Sequence, residues 1–257
     1  LIKRNNITYS QYVEGDFSVK TPRIPGVISG GNRTSFIVGT KYDFTNGSPR
    51  ELRGGIEERW NENISSQHTV NYNWEGTNQS AGTEHGVFWN KEVWDMQNNP
   101  VTPVGGYSVS LGGIAGTPVN YDGSPYYRGS ITGTGYMTLL GCRQLVLSGE
   151  VTAGTGENLD DNREFRIDPL SDISGRRMLR ANAKLGYTLL PKWFPIQIFI
   201  FTKAGTTPDY WNRRSIAENS DYKYGAGIAL NLPLIGRANL YYDVRTKRFG
   251  FSLGSQF

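Results

Sequence analysis

One cysteine, two histidines and three methionines are spread over 257 residues, and no long apolar run occurs. Each scarcity removes a class of protein. A solitary Cys142 excludes a disulfide framework and any cysteine-rich metal site. Nothing approaches the roughly 20 continuous apolar residues of a membrane helix, so helical insertion is excluded. Neither sign of charge dominates: 27 Lys and Arg stand against 23 Asp and Glu, a net charge of +4. No basic run of the kind that binds nucleic acid is present, so no nucleic-acid partner is expected. The glycines fall in strand-like stretches such as Gly54-Gly55 and Gly112-Gly113 rather than in a phosphate-cradling loop, and no cofactor is expected. The opening Leu1-Ile2-Lys3-Arg4-Asn5 has no secretory signal and reads as a processed or truncated start.

What is abundant pulls in two directions. Mean hydropathy is −0.48, yet 12% of residues are aromatic and 32 are glycine. A transmembrane β-barrel reconciles these values, because only alternate residues of each strand must be apolar and the lumen side is polar. Fifteen Tyr and six Trp suit the aromatic girdles of such a barrel.

Period-two alternation runs along most of the chain. Leu179, Ala181, Ala183, Leu185, Tyr187 and Leu189 alternate with Arg180, Asn182, Lys184, Gly186 and Thr188. Tyr222, Tyr224, Ala226, Ile228 and Leu230 do so with Lys223, Gly225, Gly227 and Ala229. Ala238, Leu240, Tyr242 and Val244 oppose Arg237, Asn239, Tyr241, Asp243 and Arg245. Upstream, Phe36, Val38 and Tyr42 oppose Lys41 and Asp43, and His68, Val70, Tyr72 and Trp74 oppose Thr69, Asn71 and Asn73. Weaker segments are 7–19, 51–61, 84–94, 106–117, 128–140, 143–153 and 195–205. With the carboxy-terminal segment these make about thirteen strands, each about 9–14 residues long, the length that crosses a bilayer when tilted. Soluble strands average only about 5–6 residues. Single-chain bacterial barrels carry even strand numbers. Either the count is off by one, with a strand missed or split and Arg163–Asp168 a candidate short extra strand, or the barrel begins upstream of Leu1.

Connections alternate in length, as in outer-membrane barrels. The segments 190–194, 233–236 and 140–143 read as short periplasmic turns, whereas 154–176 and 206–221 read as long outward loops. The rule weakens at 95–105, a longish periplasmic turn, and at 20–33. No internal repeat is visible, so 1–257 is read as one domain.

Catalytic chemistry finds few candidates. His68 lies on the apolar face of its strand, and no serine follows His85 within its own. Asp160, Asp161, Asp168 and Asp172 match no calcium-loop spacing and read as solvated loop carboxylates. The inferred lumen face is richer, with Lys41, Arg53, Glu57, Arg59, Glu150, Arg180, Lys184, Lys223, Arg237, Asp243 and Arg245. Basic residues prevail there, so an open pore would favour anions; paired across the wall, the same charges would merely solvate the interior. In 195–205, Phe199 and Phe201 place apolar groups on the lumen side as well, which calls for a cover. The connection 154–176 is the expected plug.

The last ten residues, Arg248 to Phe257, put Phe249, Phe251, Leu253 and Phe257 on one face and end on an aromatic carboxy terminus. This pattern resembles the sorting signal that closes outer-membrane β-barrels. Before it come Gly175-Arg176-Arg177-Met178-Leu179, then Phe199-Ile200-Phe201-Thr202-Lys203-Ala204-Gly205, then Gly225-Ala226-Gly227-Ile228 with Leu232-Pro233-Leu234. In that order they are similar to the closing strands of the BamA-like surface-antigen barrels, which insert or translocate proteins at outer membranes. The resemblance covers the last third of the chain. The family's R-G-F/Y motif in its long inward-folding loop is missing, with Arg166-Ile167-Asp168 as a degenerate stand-in, and its sixteen strands need more residues than are here.

The expected fold is therefore all-β, a transmembrane antiparallel up-and-down β-barrel of about 12–14 strands in the bacterial outer membrane. The leading functional expectation is a non-enzymatic transport channel, with a mildly basic lumen lined by Lys41, Arg53, Arg59, Glu150, Arg180, Lys184, Lys223 and Arg237. The alternatives are a BamA-like insertion or translocation barrel plugged by loop 154–176, and a passive membrane anchor for another domain or partner. Expected partners are outer-membrane lipid, the barrel-assembly machinery through the carboxy-terminal strand, and a protein partner or plug.

Overall fold

The computed structural model describes residues 14–20, 24–25, 33–43, 48–75, 78–119, 123–159, 164–166, 174–189, 195–232 and 236–253. In chain order its strands are β1 (Glu14–Lys20), β2 (Ile24–Pro25), β3 (Arg33–Asp43), β4 (Ser48–Arg59), β5 (Ile64–Glu75), β6 (Asn78–Val93), β7 (Gly105–Pro118) and β8 (Tyr126–Leu139). There follow β9 (Cys142–Glu157), β10 (Phe165–Arg166), β11 (Ser174–Gly175), β12 (Arg177–Leu189), β13 (Ile196–Thr206), β14 (Ser220–Leu232), β15 (Gly236–Asp243) and β16 (Arg248–Leu253). Setting aside the two-residue β2, β10 and β11, thirteen strands remain, one for each alternating segment of the sequence. The expected extra strand near Arg163–Asp168 is β10, which pairs only with β11 in a two-residue ladder inside the connection from β9 to β12. A six-residue helix, α1 (Arg213–Glu218), is capped by Asn212, whose side chain accepts from the Ser215 amide. No helix of the described residues is long and apolar enough to cross a membrane.

The chain divides into two compact units, Leu1–His85 with Ile114–Pro125, and Gly86–Gly113 with Tyr126–Phe257. In the first, β1, β3, β4 and β5 pair in sequence order, all antiparallel. A register shift at Lys41/Tyr42 marks a bulge between β3 and β4. In the second, β8, β9, β12, β13, β14, β15 and β16 form an equally regular antiparallel meander. Short hairpins make this topology possible. The β8–β9 turn, for example, holds Leu140 at φ 54° and Gly141 at φ 68°, the left-handed pair that a tight two-residue hairpin demands.

Burial in the second unit is inverted relative to a soluble sheet. Leu179, Tyr187, Ile198, Ile200, Ile228, Leu240, Phe249 and Phe251 are exposed, Ile200 at 59% and Phe249 at 74%. The alternate positions Thr152, Lys184, Thr188, Gln197, Asn239 and Asp243 are buried. Leaving each of those large apolar side chains in water forgoes about 1.5–3 kcal/mol of burial, whereas a lipid surround removes the penalty. A polar inner face and an apolar outer face are the pattern of a membrane barrel wall.

Candidate functional site: the inner face of the second unit

Cross-strand register assigns the inner face. Arg180 lies opposite Thr152, Lys184 opposite Ser148 and Gly186 opposite Val146, so the polar set of β12 shares a face with the even-numbered positions of β9. Lys184 and Gly186 face Phe201 and Phe199 on β13, and Phe199 and Phe201 face Gly227 and Gly225 on β14. Space on this wall is made by glycine. A Cβ at Gly227 would sit 2.6 Å from Phe199 Cζ, and one at Gly186 2.6 Å from Gln197 Cδ. Each large side chain therefore lies across the backbone of its neighbouring strand.

The charges on this face are engaged with the wall. Arg180 Nη2 donates to Glu150 Oε1 at 2.8 Å and to Thr152 Oγ1 at 3.3 Å. The Lys184 ammonium sits 4.1 Å above the Phe199 ring, a cation–π contact that gains strength where water is scarce. Lys203 and Lys223 are directly opposite on β13 and β14.

Phe199 is covered from within the unit. Val101, 3% exposed, packs with Phe199 and Ala229, and Phe201 and Tyr241 flank them. Val101 belongs to the connection 94–104 between β6 and β7, which folds back on the inner face. A closed ring of hydrogen bonds holds it there. Thr188 Oγ1 donates to Asn99 Oδ1 at 2.9 Å, Gln197 Nε2 to Thr188 Oγ1 at 3.3 Å, Thr102 Oγ1 to Gln197 Oε1 at 3.0 Å, and the Thr102 amide to Asn99 Oδ1 at 3.1 Å. All four residues are buried, Gln197 completely. Thr138 Oγ1 adds a bond to the Val104 carbonyl at 2.5 Å.

Asp95 ties the same segment to the start of β9. Its carboxylate accepts from Arg143 Nη1 at 2.8 Å, from Asn98 Nδ2 at 3.0 Å and from the amides of Gln97 and Asn98. The Arg143 bond first, then the Asn98 side chain, holds this carboxyl well below the usual carboxylate range, against a weaker opposing effect of burial. Asn99 Nδ2 reaches the Arg143 carbonyl at 3.3 Å.

At the other end of the same wall, Phe165 of β10 is fully buried. Its ring seats where a Cβ on Gly154 would come within 2.5 Å of Cε1 and Cζ, and the Arg128 guanidinium lies 4.2 Å from the ring centroid. Gly154 is opposite Met178, and Arg128 opposite Gly156, so this seat is also on the inner face. The connection from β9 to β12 thus folds inward at a phenylalanine.

A solved structure carries the same architecture. The crystal structure of BamA from Haemophilus ducreyi lacking POTRA domains 1–3 matches with a TM-score of 0.57 over 94% of this chain, at 13% sequence identity. The chain has the fold of the BamA barrel. It spans 60% of that protein's chain. No protein-family model matches it, and no curated protein matches it in sequence.

On that barrel wall the expected lumen residues separate into groups. Glu150, Arg180, Lys184 and Lys223 take inner-face positions of the second unit. Arg53 and Glu57 share one face of β4, with Arg53 3.9 Å from Glu51. Lys41 and Arg237 are placed by backbone register alone, Lys41 opposite Glu51 and Arg237 opposite Asn231. Two expectations change. Arg59 caps the β4–β5 turn, donating to the carbonyls of Asn61 and Glu62. Arg245 lies beyond β15, in the turn to β16, and donates to the Tyr222 carbonyl at 2.6 Å and to the Asp221 carboxylate. Asp243 is the cause: it accepts from the amides of Arg245 and Thr246, ending the strand.

The expected cover for Phe199 also changes, since Val101 rather than 154–176 provides it. Of the carboxy-terminal signal, Phe249 and Phe251 are exposed on the outer face, Leu253 ends β16, and Phe257 lies outside the described residues. So do Asp160, Asp161, Asp168 and Asp172. Sequence reasoning missed Asn99, Thr102, Thr188 and Gln197 as a set, and it missed that His68 and His85 meet on adjacent strands, Nδ1 to Nδ1 at 2.8 Å.

Proposed function

We propose that this chain is a non-enzymatic barrel of the bacterial outer membrane, of the BamA-like kind that inserts or translocates proteins. The observation that carries the reading is the inward seat of Phe165 on Gly154 beneath Arg128. In the family the chain resembles, the long connection at this place folds into the barrel and presents an aromatic residue beside an arginine. Here Phe165-Arg166 occupy the corresponding connection, without the R-G-F/Y order. Outer-membrane lipid would cover the exposed apolar face, and the carboxy-terminal strand, with Phe249 and Phe251 outward, would present the sequence to the barrel-assembly machinery.

A second reading, transport of anions, is favoured by Lys203 and Lys223 standing opposite one another on the inner face. One experiment separates the two. Planar-bilayer recordings compare the intact barrel with a variant lacking 158–173. Insertion or translocation with an inward-folded loop predicts a quiet intact barrel and large open events in the variant. Steady anion-selective conductance that the deletion leaves unchanged would support the transport reading and overturn the first.

A further inference from the structure

The chain's two histidines meet. They lie on β5 and β6, neighbours in the sheet, with Nδ1 to Nδ1 at 2.8 Å, ring centroids 5.1 Å apart and ring planes inclined at 55°. Both belong to the first unit. His68 faces outward: it alternates with the buried Thr69, shares its face with the exposed Val70, and lies opposite Ile56 on β4. An ionisable side chain on the lipid side of a barrel wall is costly and calls for a reason. Solvent reaches the pair, since His85 is exposed and His68 half-buried. Trp60 Nε1 donates to Ser66 Oγ at 3.0 Å, and Ser66 stands two residues before His68. The pair therefore lies about 7 Å along the strand from a tryptophan of the interfacial kind.

Two neutral imidazoles at this distance share one hydrogen: one Nδ1–H donates and the other Nδ1 accepts. Moving that hydrogen to the Nε2 of its own ring leaves two Nδ1 lone pairs side by side, with no change in charge. Two nitrogens bound to one ion at about 2.0–2.1 Å are about 2.9 Å apart when the angle at the metal is 90°, and about 3.3 Å apart at the tetrahedral angle. The observed 2.8 Å fits the first, the cis pair of a tetragonal site, which is the geometry of Cu2+ and Ni2+. Among the described residues no third His, Cys, Asp or Glu completes a cluster, so water fills the other positions. A second observation points to a cation. Glu58, opposite Ser66, stands one rung along the same face; it is 7% exposed, and its Oε1 has no hydrogen-bond partner among the described residues. A buried carboxyl oxygen without a donor is costly. Diagonal neighbours across a strand pair are within reach of long side chains, so a cation on the histidines supplies the missing counter-charge.

We propose that His68 and His85 form an outward-facing two-histidine site for a divalent late first-row metal ion, Cu2+ ahead of Ni2+, beside the Glu58 carboxyl. The bound ion ties β5 to β6 at the edge of the membrane. The test uses the folded full chain in vesicles, in a Cys142→Ser background that removes the one thiol. Cu2+ is titrated against a chelator of known affinity, and the bound ion is read by electron paramagnetic resonance. One ion per chain is expected, with hyperfine coupling to two imidazole nitrogens and with Ni2+ competing for the same place. His68→Phe and His85→Phe, apolar changes that suit a lipid-facing position, should each weaken binding about a hundredfold, because the second ligand acts at high effective concentration. Urea midpoints without metal show that each variant folds, and the spectrum of the parent chain tests the pair even where a variant does not. Glu58→Gln should weaken binding several-fold and keep the two-nitrogen spectrum. No Cu2+ on the folded parent, a single-nitrogen spectrum, or an affinity that either histidine variant leaves unchanged would overturn the site. Unchanged affinity in Glu58→Gln would overturn the part given to the carboxyl.

Discussion

Replacing Gly154 by alanine should cost stability through one side chain, Phe165, and that can be isolated. The new Cβ would lie 2.5 Å from two ring carbons of Phe165 and 3.1 Å from the Gly129 carbonyl. The carbonyl can yield a few tenths of an ångström, but the ring must leave its seat or push the wall apart. Overpacking of this kind costs about 1–3 kcal/mol. Phe165→Ala alone removes a fully buried ring and the partner of Arg128, a loss of about 3–5 kcal/mol. With the ring gone, the alanine at 154 meets only the carbonyl, so the double variant should be nearly as stable as Phe165→Ala. The coupling energy between the two sites is then about 1–3 kcal/mol. Urea unfolding of barrels folded into vesicles, read by tryptophan emission, gives all four corners of the cycle. Additive losses would show that Phe165 does not rest on Gly154, and the observation behind the proposed function would fall with it.

Acid should weaken the tie between Asp95 and Arg143. The Asp95 carboxyl is held below its ordinary value of 3.8, so its contribution is complete well above that value and is lost as pH falls through the lower, folded value. Stability in urea should therefore fall in acid by the Asp95–Arg143 contribution, and Asp95→Asn should start lower at neutral pH with a flatter profile; an unchanged acid profile in Asp95→Asn would refute this origin. Gly227→Ala should destabilise the wall by about 1–3 kcal/mol, because its Cβ would meet Phe199 and the Leu240 carbonyl within 2.6 Å. Gly133→Ala, with nothing within 4 Å, should be neutral or stabilise by about 0.4–1 kcal/mol; equal unfolding midpoints for the two would refute the close-packed account. Arg180→Glu should destabilise by about 1–3 kcal/mol through loss of the Glu150 bond, and Glu150→Arg in the same chain should recover most of that in a double-mutant cycle.

Strand identity was legible in the sequence because its signal is local. Alternation of Leu179 to Leu189 with Arg180 to Thr188 is settled within thirteen residues, and every strand of six residues or more was marked by a pattern of this kind. Ends were less legible where a side chain rather than the pattern stops the strand: alternation runs on to Arg245, yet the Asp243 carboxylate captures the next amides and turns the chain. The need for a cover over Phe199 was also legible, since Phe199 and Phe201 break the polar rule of the inner face. What supplies it was not. Asn99 and Thr102 find their partners 89 and 95 residues away, and Asn-Asn-Pro-Val-Thr-Pro-Val reads locally as an ordinary polar turn. Val101 and Val104 were the one local hint, two aliphatic residues in a connection that had no evident reason to carry them.

The two inward contacts differ in a way that bears on how the barrel would open. Phe165 is held by shape and apolar contact, a ring pressed on a glycine under a guanidinium, and removing it exposes an apolar seat. The connection 94–104 is held by buried hydrogen bonds together with the apolar side chains of Pro100, Val101, Pro103 and Val104. They lie about ten residues apart along β12, one level with Met178 and the other with Thr188, roughly 33 Å at a rise of about 3.3 Å per residue. A conduit or insertion wall needs the inner face free along its whole length, so both contacts must be displaced. Lys184 ties the second contact to the charges of the wall, since its ammonium lies 4.1 Å from the Phe199 ring against which Val101 also packs.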